Sequence, residues 1–182
     1  MINKEGLKLY KVLPKYVATL RNENIGDKGL YMVDGNKENR PFVGVVAIIN
    51  ECNYFIPLTS YKDRFRYLTA KEPDFTPIYR KGRLVSALEF NKMIPVPTNQ
   101  IRPLDMNIRN HDTEGRRKAK ELRIYEQNWC NEHKEKIREK AISLYNMYVN
   151  KDDNYKNIAY CSDFPRLEKI CKMYEQNHPP RR

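Results

Sequence analysis

The segment Phe42-Val43-Gly44-Val45-Val46-Ala47-Ile48-Ile49 constrains the fold more than any other stretch of this chain. It is apolar at odd and even positions alike and rich in β-branched residues, the pattern of a central strand buried on both faces. Asn50-Glu51-Cys52-Asn53 then reads as a turn, and Tyr54-Phe55-Ile56-Pro57-Leu58 as a returning strand. An antiparallel hairpin is therefore the first element that any fold for this sequence must contain.

The surrounding segments fill in an α+β class, a twisted antiparallel sheet with helices packed on it. Residues 7–13 suit a first strand, ended by Pro14, which also suits the first turn of a short helix over 15–22. Residues 23–40 are polar and carry three glycines, the signature of a long loop. Two or three short strands are expected between Thr76 and Val96, punctuated by Gly82, Pro95 and Pro97. Over residues 113–149 the periodicity changes. Leu122, Tyr125, Trp129, His133, Ile137, Ala141, Leu144 and Tyr148 step by three or four, one apolar stripe along a long helix. A final helix is expected over residues 164–174, capped by Ser162 or Asp163.

One domain over residues 1–182 follows, strand-rich to 105, helical over 106–175, with a disordered tail over 176–182. Such a chain can bury roughly 70% of its unfolded surface, so folding needs neither disulfides nor metal. Cys52, Cys130, Cys161 and Cys171 form no C-x-x-C pair and match no histidine spacing, so free thiols are expected, with no metal and no cofactor. No apolar run approaches the roughly 20 residues of a membrane span, and the opening residues resemble no signal peptide, which predicts a cytoplasmic protein.

The charge needs a partner. Lys and Arg number 34 against 23 Asp and Glu, a net +11 with a pI near 9.4. The surplus is spread evenly: 17 basic against 11 acidic over residues 1–105, and 17 against 12 over the rest. A globular chain with distributed positive charge points to a polyanion. Tyrosines are interleaved with the basic groups, as in Lys8-Leu9-Tyr10-Lys11, Lys15-Tyr16, Tyr61-Lys62, Arg66-Tyr67 and Tyr79-Arg80-Lys81. Cations that hold a backbone beside rings that stack on unpaired bases suit single-stranded nucleic acid; the plainer reading makes half of these rings core. The phosphate-loop, dinucleotide, nucleophile-elbow and zinc-protease motifs are all missing, and seven glycines leave little material for a phosphate cradle.

Leu58-Thr59-Ser60-Tyr61-Lys62 is the informative cluster. Two hydroxyls leave a buried strand as a basic loop, and an ammonium follows. If the three converge, they bind one anion, most naturally a phosphate. Otherwise they form an ordinary turn in which Thr and Ser bond the backbone. Hairpin topology places Arg40 at the same end, beside Lys62. Three histidines in unrelated contexts, His111, His133 and His178, give poor support to a paired-histidine mechanism.

Taken in order, Leu9-Tyr10…Lys15-Tyr16, Phe42-Val43-Gly44-Val45-Val46, Tyr54-Phe55-Ile56-Pro57-Leu58-Thr59-Ser60 with Lys62, Asn91-Lys92-Met93-Ile94-Pro95-Val96 and Cys161-Ser162-Asp163-Phe164 resemble the ToxN/AbiQ family. The resemblance implies a sheet like that of the Kid/MazF toxins. It also implies a metal-independent endoribonuclease of type III toxin–antitoxin and phage abortive-infection systems, leaving 2′,3′-cyclic phosphate and 5′-hydroxyl ends on single-stranded RNA. The implied partners are a small repeated antitoxin RNA folded as pseudoknots, which closes with the toxin into a cyclic assembly such as three toxins to three RNAs, and cellular or phage mRNA as substrate. By the same resemblance Thr59, Ser60, Lys62 and Arg40 are catalytic. Tyr16 and Tyr31 match tyrosines that meet RNA, and the basic and aromatic interleaving adds Tyr61, Lys15 and Arg64 as expected RNA contacts. Where the family commonly has proline after the serine, Tyr61 stands here. Two other readings fit the same surface: a non-catalytic RNA- or DNA-binding module, and a MazF-like toxin with a protein antitoxin.

Overall fold

A computed structural model describes residues 6–22 and 40–179. Its strands are β1 (Lys8–Val12), β2 (Phe42–Ile49), β3 (Cys52–Ser60), β4 (Phe75–Arg80), β5 (Arg83–Glu89), β6 (Ile94–Pro95) and β7 (Ile101–Pro103). Its α-helices are α1 (Pro14–Asn22), α2 (Glu114–Glu132), α3 (Lys134–Val149) and α4 (Phe164–Asn177). The strands form one antiparallel sheet in the order β4-β5-β3-β2-β1-β7, with β6 on β3. Among the described residues, no helix is long and apolar enough to cross a membrane.

The hairpin forms where the apolar run predicts it. Ile49 pairs with Cys52, and the two residues between them, Asn50 and Glu51, take positive φ angles of 50° and 67°. That geometry fits the right-handed twist of the flanking strands. Gly44 is required by close approach: a Cβ there would lie 2.1 Å from the Phe55 ring. Next to it the β2–β3 register shifts between Val43 and Ala47.

Both faces of the sheet are covered. Tyr54, Ile56 and Leu58 of β3 pack with Cys130 of α2 and with Ile137, Ala141 and Leu144 of α3. Phe55, on the other parity, packs with Tyr16, Val17 and Leu20 of α1 and Leu167, Ile170 and Tyr174 of α4. Helices on two sides are why β2 and β3 carry no polar alternation.

The long helical stripe is divided. At His133 the backbone leaves helical values (φ −111°, ψ 14°), although its N–H still donates to the Trp129 carbonyl at 3.2 Å. A straight helix of about 36 residues would run about 54 Å. Strands of at most nine residues cover only about 30 Å, so the break lets both halves stay on the sheet. At the other end, α4 begins as expected, with the Asp163 side chain accepting from the Arg166 N–H. It continues to Asn177, and the His178 ring stacks on Tyr174 at 4.1 Å. The start of the segment expected to be disordered is therefore helix. All four cysteines are buried free thiols.

Candidate functional site

Thr59 and Ser60 do not leave β3 as a loop. They are its last two residues, paired with Ala87 and Ser86 of β5. Strand alternation then sends their side chains to opposite faces, so the two hydroxyls do not converge on one anion as the sequence suggested. Thr59 lies on the side of Ala87 and Glu89; Ser60 is exposed on the side of Ser86. The Tyr61 N–H still bonds the Val85 carbonyl at 3.0 Å, and Lys62 is extended (φ −135°, ψ 146°). Lys62, beyond the end of the strand, lines one groove with Glu89 and Lys92. A 3-10 turn over Asp63–Tyr67 follows.

Arg40 arrives through the hairpin. The Leu58 N–H donates to the Pro41 carbonyl at 2.9 Å, which sets Arg40 beside the end of β3. Its guanidinium donates to the Thr59 hydroxyl at 2.6 Å. Thr59 in turn donates to Glu89 Oε2 at 2.6 Å, and Arg40 reaches the same oxygen at 3.4 Å. The other oxygen, Oε1, accepts from Arg64 at 2.5 Å and from Lys92 Nζ at 2.8 Å. Glu89, only 4% exposed, is thus one buried carboxylate held by a hydroxyl and three cations.

The electrostatics follow from that arrangement. Burial pushes the Glu89 carboxyl up, but Lys92, the Thr59 hydrogen bond and Arg64 outweigh it and hold the group below the usual carboxylate range. For Lys92 burial wins over the pull of Glu89, and its pKa lies below the ordinary lysine value. Lys62, Arg64 and Lys92 line an open groove of about 490 Å³ together with Glu89 and Asp74.

The remaining expected contacts divide. Tyr61 is 42% exposed, its hydroxyl donating to Asp63 at 3.0 Å and accepting from Arg66 at 3.1 Å. Lys15 is exposed in the first turn of α1, at the end of the sheet where β1 finishes and β2 begins. Tyr16 is a correction. It is 0% exposed, its hydroxyl donates to the Pro95 carbonyl at 2.7 Å, and its ring meets Tyr174 edge-on at 4.9 Å. A ring enclosed on all sides stacks on no base. Tyr31 lies outside the described residues.

Sequence reasoning missed Glu89 and Lys92. The available signal was a lone carboxylate closing the apolar run Leu84-Val85-Ser86-Ala87-Leu88, with a lysine three residues on. A buried charge of that kind needs partners from elsewhere in the chain.

The family model described as Toxin ToxN, type III toxin-antitoxin system, matches residues 8–172. Endoribonuclease ToxN of Bacillus thuringiensis subsp. kurstaki is 26% identical over 180 residues, covering 97% of this chain and 88% of that protein. Endoribonuclease AbiQ of Lactococcus lactis subsp. lactis is 28% identical over 177 residues, covering 93% of this chain and 90% of that protein. The solved structure of AbiQ, described as a lactococcal anti-phage endoribonuclease, superposes with a TM-score of 0.75 at 26% identity, covering 94% of this chain and 99% of that one. A second structure, from work on selective toxin inhibition by a non-coding RNA pseudoknot, gives a TM-score of 0.73 at 24% identity, with the same coverage, and bears on the fold alone.

Proposed function

This chain belongs to the ToxN family of type III toxin–antitoxin systems, and on that premise we propose that it is a metal-independent endoribonuclease toxin of phage defence, held inactive by a repeated pseudoknot RNA. The observation that carries the reading is the cluster of cations at the end of β3. Arg40, Arg64 and Lys92 share one buried carboxylate, and Lys62 borders the same groove, beside an exposed serine.

RNA brings its own nucleophile. The enzyme needs only to align the 2′-hydroxyl with phosphorus and stabilise the charge that develops on the phosphorane. Ser60 at the strand end and Lys62 just beyond it contact the scissile phosphate, and Arg40 and Arg64 supply positive potential. Thr59, already bonded to Arg40 and Glu89, acts as a positioning residue that holds the cations in place. The bridging O–P bond to the leaving 5′-oxygen breaks as the 2′-oxygen bonds to phosphorus. The 2′-proton is lost and the leaving oxygen gains one, giving a 2′,3′-cyclic phosphate and a 5′-hydroxyl.

The test is cleavage of single-stranded RNA in excess chelator, with the ends analysed. The expected products carry 5′-hydroxyls, and Ser60→Ala lowers the rate by orders of magnitude while RNA affinity stays within about 1 kcal/mol. A need for divalent metal with 5′-phosphate products would overturn the mechanism. A wild-type chain that binds RNA and never cuts it would favour the non-catalytic module instead. Antitoxin binding should weaken steeply with salt, with a log–log slope of about −5 for about six phosphates.

A further inference from the structure

Beyond the strand end, the groove has a second wall that the reading of the phosphate site leaves unused. Asn91, Asn157 and Tyr160 form it, contributed by the segment after β5 and by the 3-10 turn Ile158–Tyr160 ahead of α4. Two bonds tie these pieces together: Asn91 Nδ2 donates to the Tyr160 carbonyl at 3.3 Å, and the Ser162 N–H donates to the Asn91 carbonyl at 2.8 Å. Tyr160 is 59% exposed, and its backbone is pinned by its N–H bond to the Asn157 carbonyl at 2.9 Å. Leu68 and Phe75 supply apolar lining.

We propose that this wall is a nucleobase subsite, which takes the base of a nucleotide flanking the scissile phosphate and sets the sequence preference of the cut. The inference rests on the endoribonuclease reading above. The chemistry is that of base recognition rather than of further phosphate binding. An amide side chain carries a donor and an acceptor side by side, which complements the edge of a base, whereas phosphate offers only acceptors. An exposed tyrosine ring supplies a stacking face, as single-strand readers use. Lys62, Arg64 and Lys92 line the same groove, so a nucleotide seated in it has cations for its phosphate and the Asn and Tyr side chains for its base. The volume of about 490 Å³ admits one nucleotide and not a folded duplex.

Asn157 is the residue to change first, because Asn91 also holds the Tyr160 turn and its loss would disturb the wall itself. An RNA pool randomised around the cut, digested by the wild-type chain and mapped by end sequencing, gives the base ratio at each flanking position. Wild type should discriminate at one position beside the cut. Asn157→Ala should collapse that ratio by about tenfold and leave the ratios at the other positions unchanged. Tyr160→Ala should raise KM for all bases at that position and Tyr160→Phe should restore it, since stacking needs the ring and not the hydroxyl. Equilibrium binding of an oligoribonucleotide made uncleavable by a 2′-deoxy substitution at the cut, with the flanking base varied, gives an independent readout. An Asn157→Ala ratio equal to wild type at every position, or a uniform loss across all positions, overturns the subsite. Base-selective binding that Asn157→Ala abolishes, in a wild-type chain that never cuts, would instead leave the subsite standing and overturn the endoribonuclease reading.

Discussion

Two buried glutamates show how the same side chain serves two ends. Glu89 closes β5 and Glu168 sits on α4, exposed by 4% and 7%. Glu168 is satisfied by neutral donors: the Tyr54 hydroxyl at 2.7 Å and Asn50 Nδ2 at 2.9 Å, with the Tyr145 hydroxyl in contact. Those bonds tie the hairpin turn and β3 to a helix and bring no cation with them. Glu89 is satisfied by Thr59 and three cations, which it gathers at the end of β3. A carboxylate among neutral hydroxyls is a structural fastening. One among several cations holds basic side chains from separate segments at one place.

The largest effect should come from Glu89→Gln. Removing the buried charge takes away the carboxylate that Lys92, Arg64 and Arg40 share, a loss of about 3–5 kcal/mol in urea unfolding. Cleavage should fall with it, measured on protein kept below its unfolding midpoint. The same contrast appears in pH dependence. Because the Glu89 carboxyl lies below its ordinary range, its contribution is complete above the unfolded value of about 4.3 and is lost as pH falls through the folded value. The wild-type unfolding midpoint should therefore drop below about pH 4, and the Glu89→Gln midpoint should drop less over that range.

At the other carboxylate, Tyr54→Phe removes one neutral donor from Glu168 and should cost about 1–3 kcal/mol. Its cleavage rate per folded molecule should match wild type. A selective loss of cleavage would merge the two glutamates into one functional network and end the distinction drawn above. The smallest effect belongs to Tyr16→Phe, which deletes the bond to the Pro95 carbonyl for about 1 kcal/mol. RNA affinity measured by gel shift should not change, whereas a base-stacking role for Tyr16 would require Tyr16→Ala to weaken binding even in a folded variant.

The apolar run of β2, a turn within Asn50-Glu51-Cys52-Asn53 and a cap at Ser162 or Asp163 are all local patterns, which is why the hairpin and the start of α4 were legible in advance. β3 nevertheless begins already at Cys52, and the turn is only Asn50-Glu51. Hairpin topology likewise predicted Arg40 beside the end of β3, and the 2.6 Å bond to Thr59 agrees. The split at His133 was not legible, because an apolar stripe records which face is buried and not how far the sheet beneath it extends. Tyr16 was misread for a related reason. Lys15-Tyr16 looks the same in sequence whether the ring faces water or lies under α4, and only the packing of α1 on α4 distinguishes them.

By itself, then, the sequence determined the sheet-and-helix class and the positive surplus, because strand periodicity, capping and charge are properties of neighbouring residues. The tertiary structure decided which side chains meet. Whether Thr59 and Ser60 act together depended on how far β3 stays paired with β5, a long-range hydrogen-bond register. That Glu89 gathers Arg40, Arg64, Thr59 and Lys92 depended on segments up to 49 residues apart closing on one buried carboxylate. A buried charge must find partners wherever the fold brings them, and no local pattern encodes that meeting.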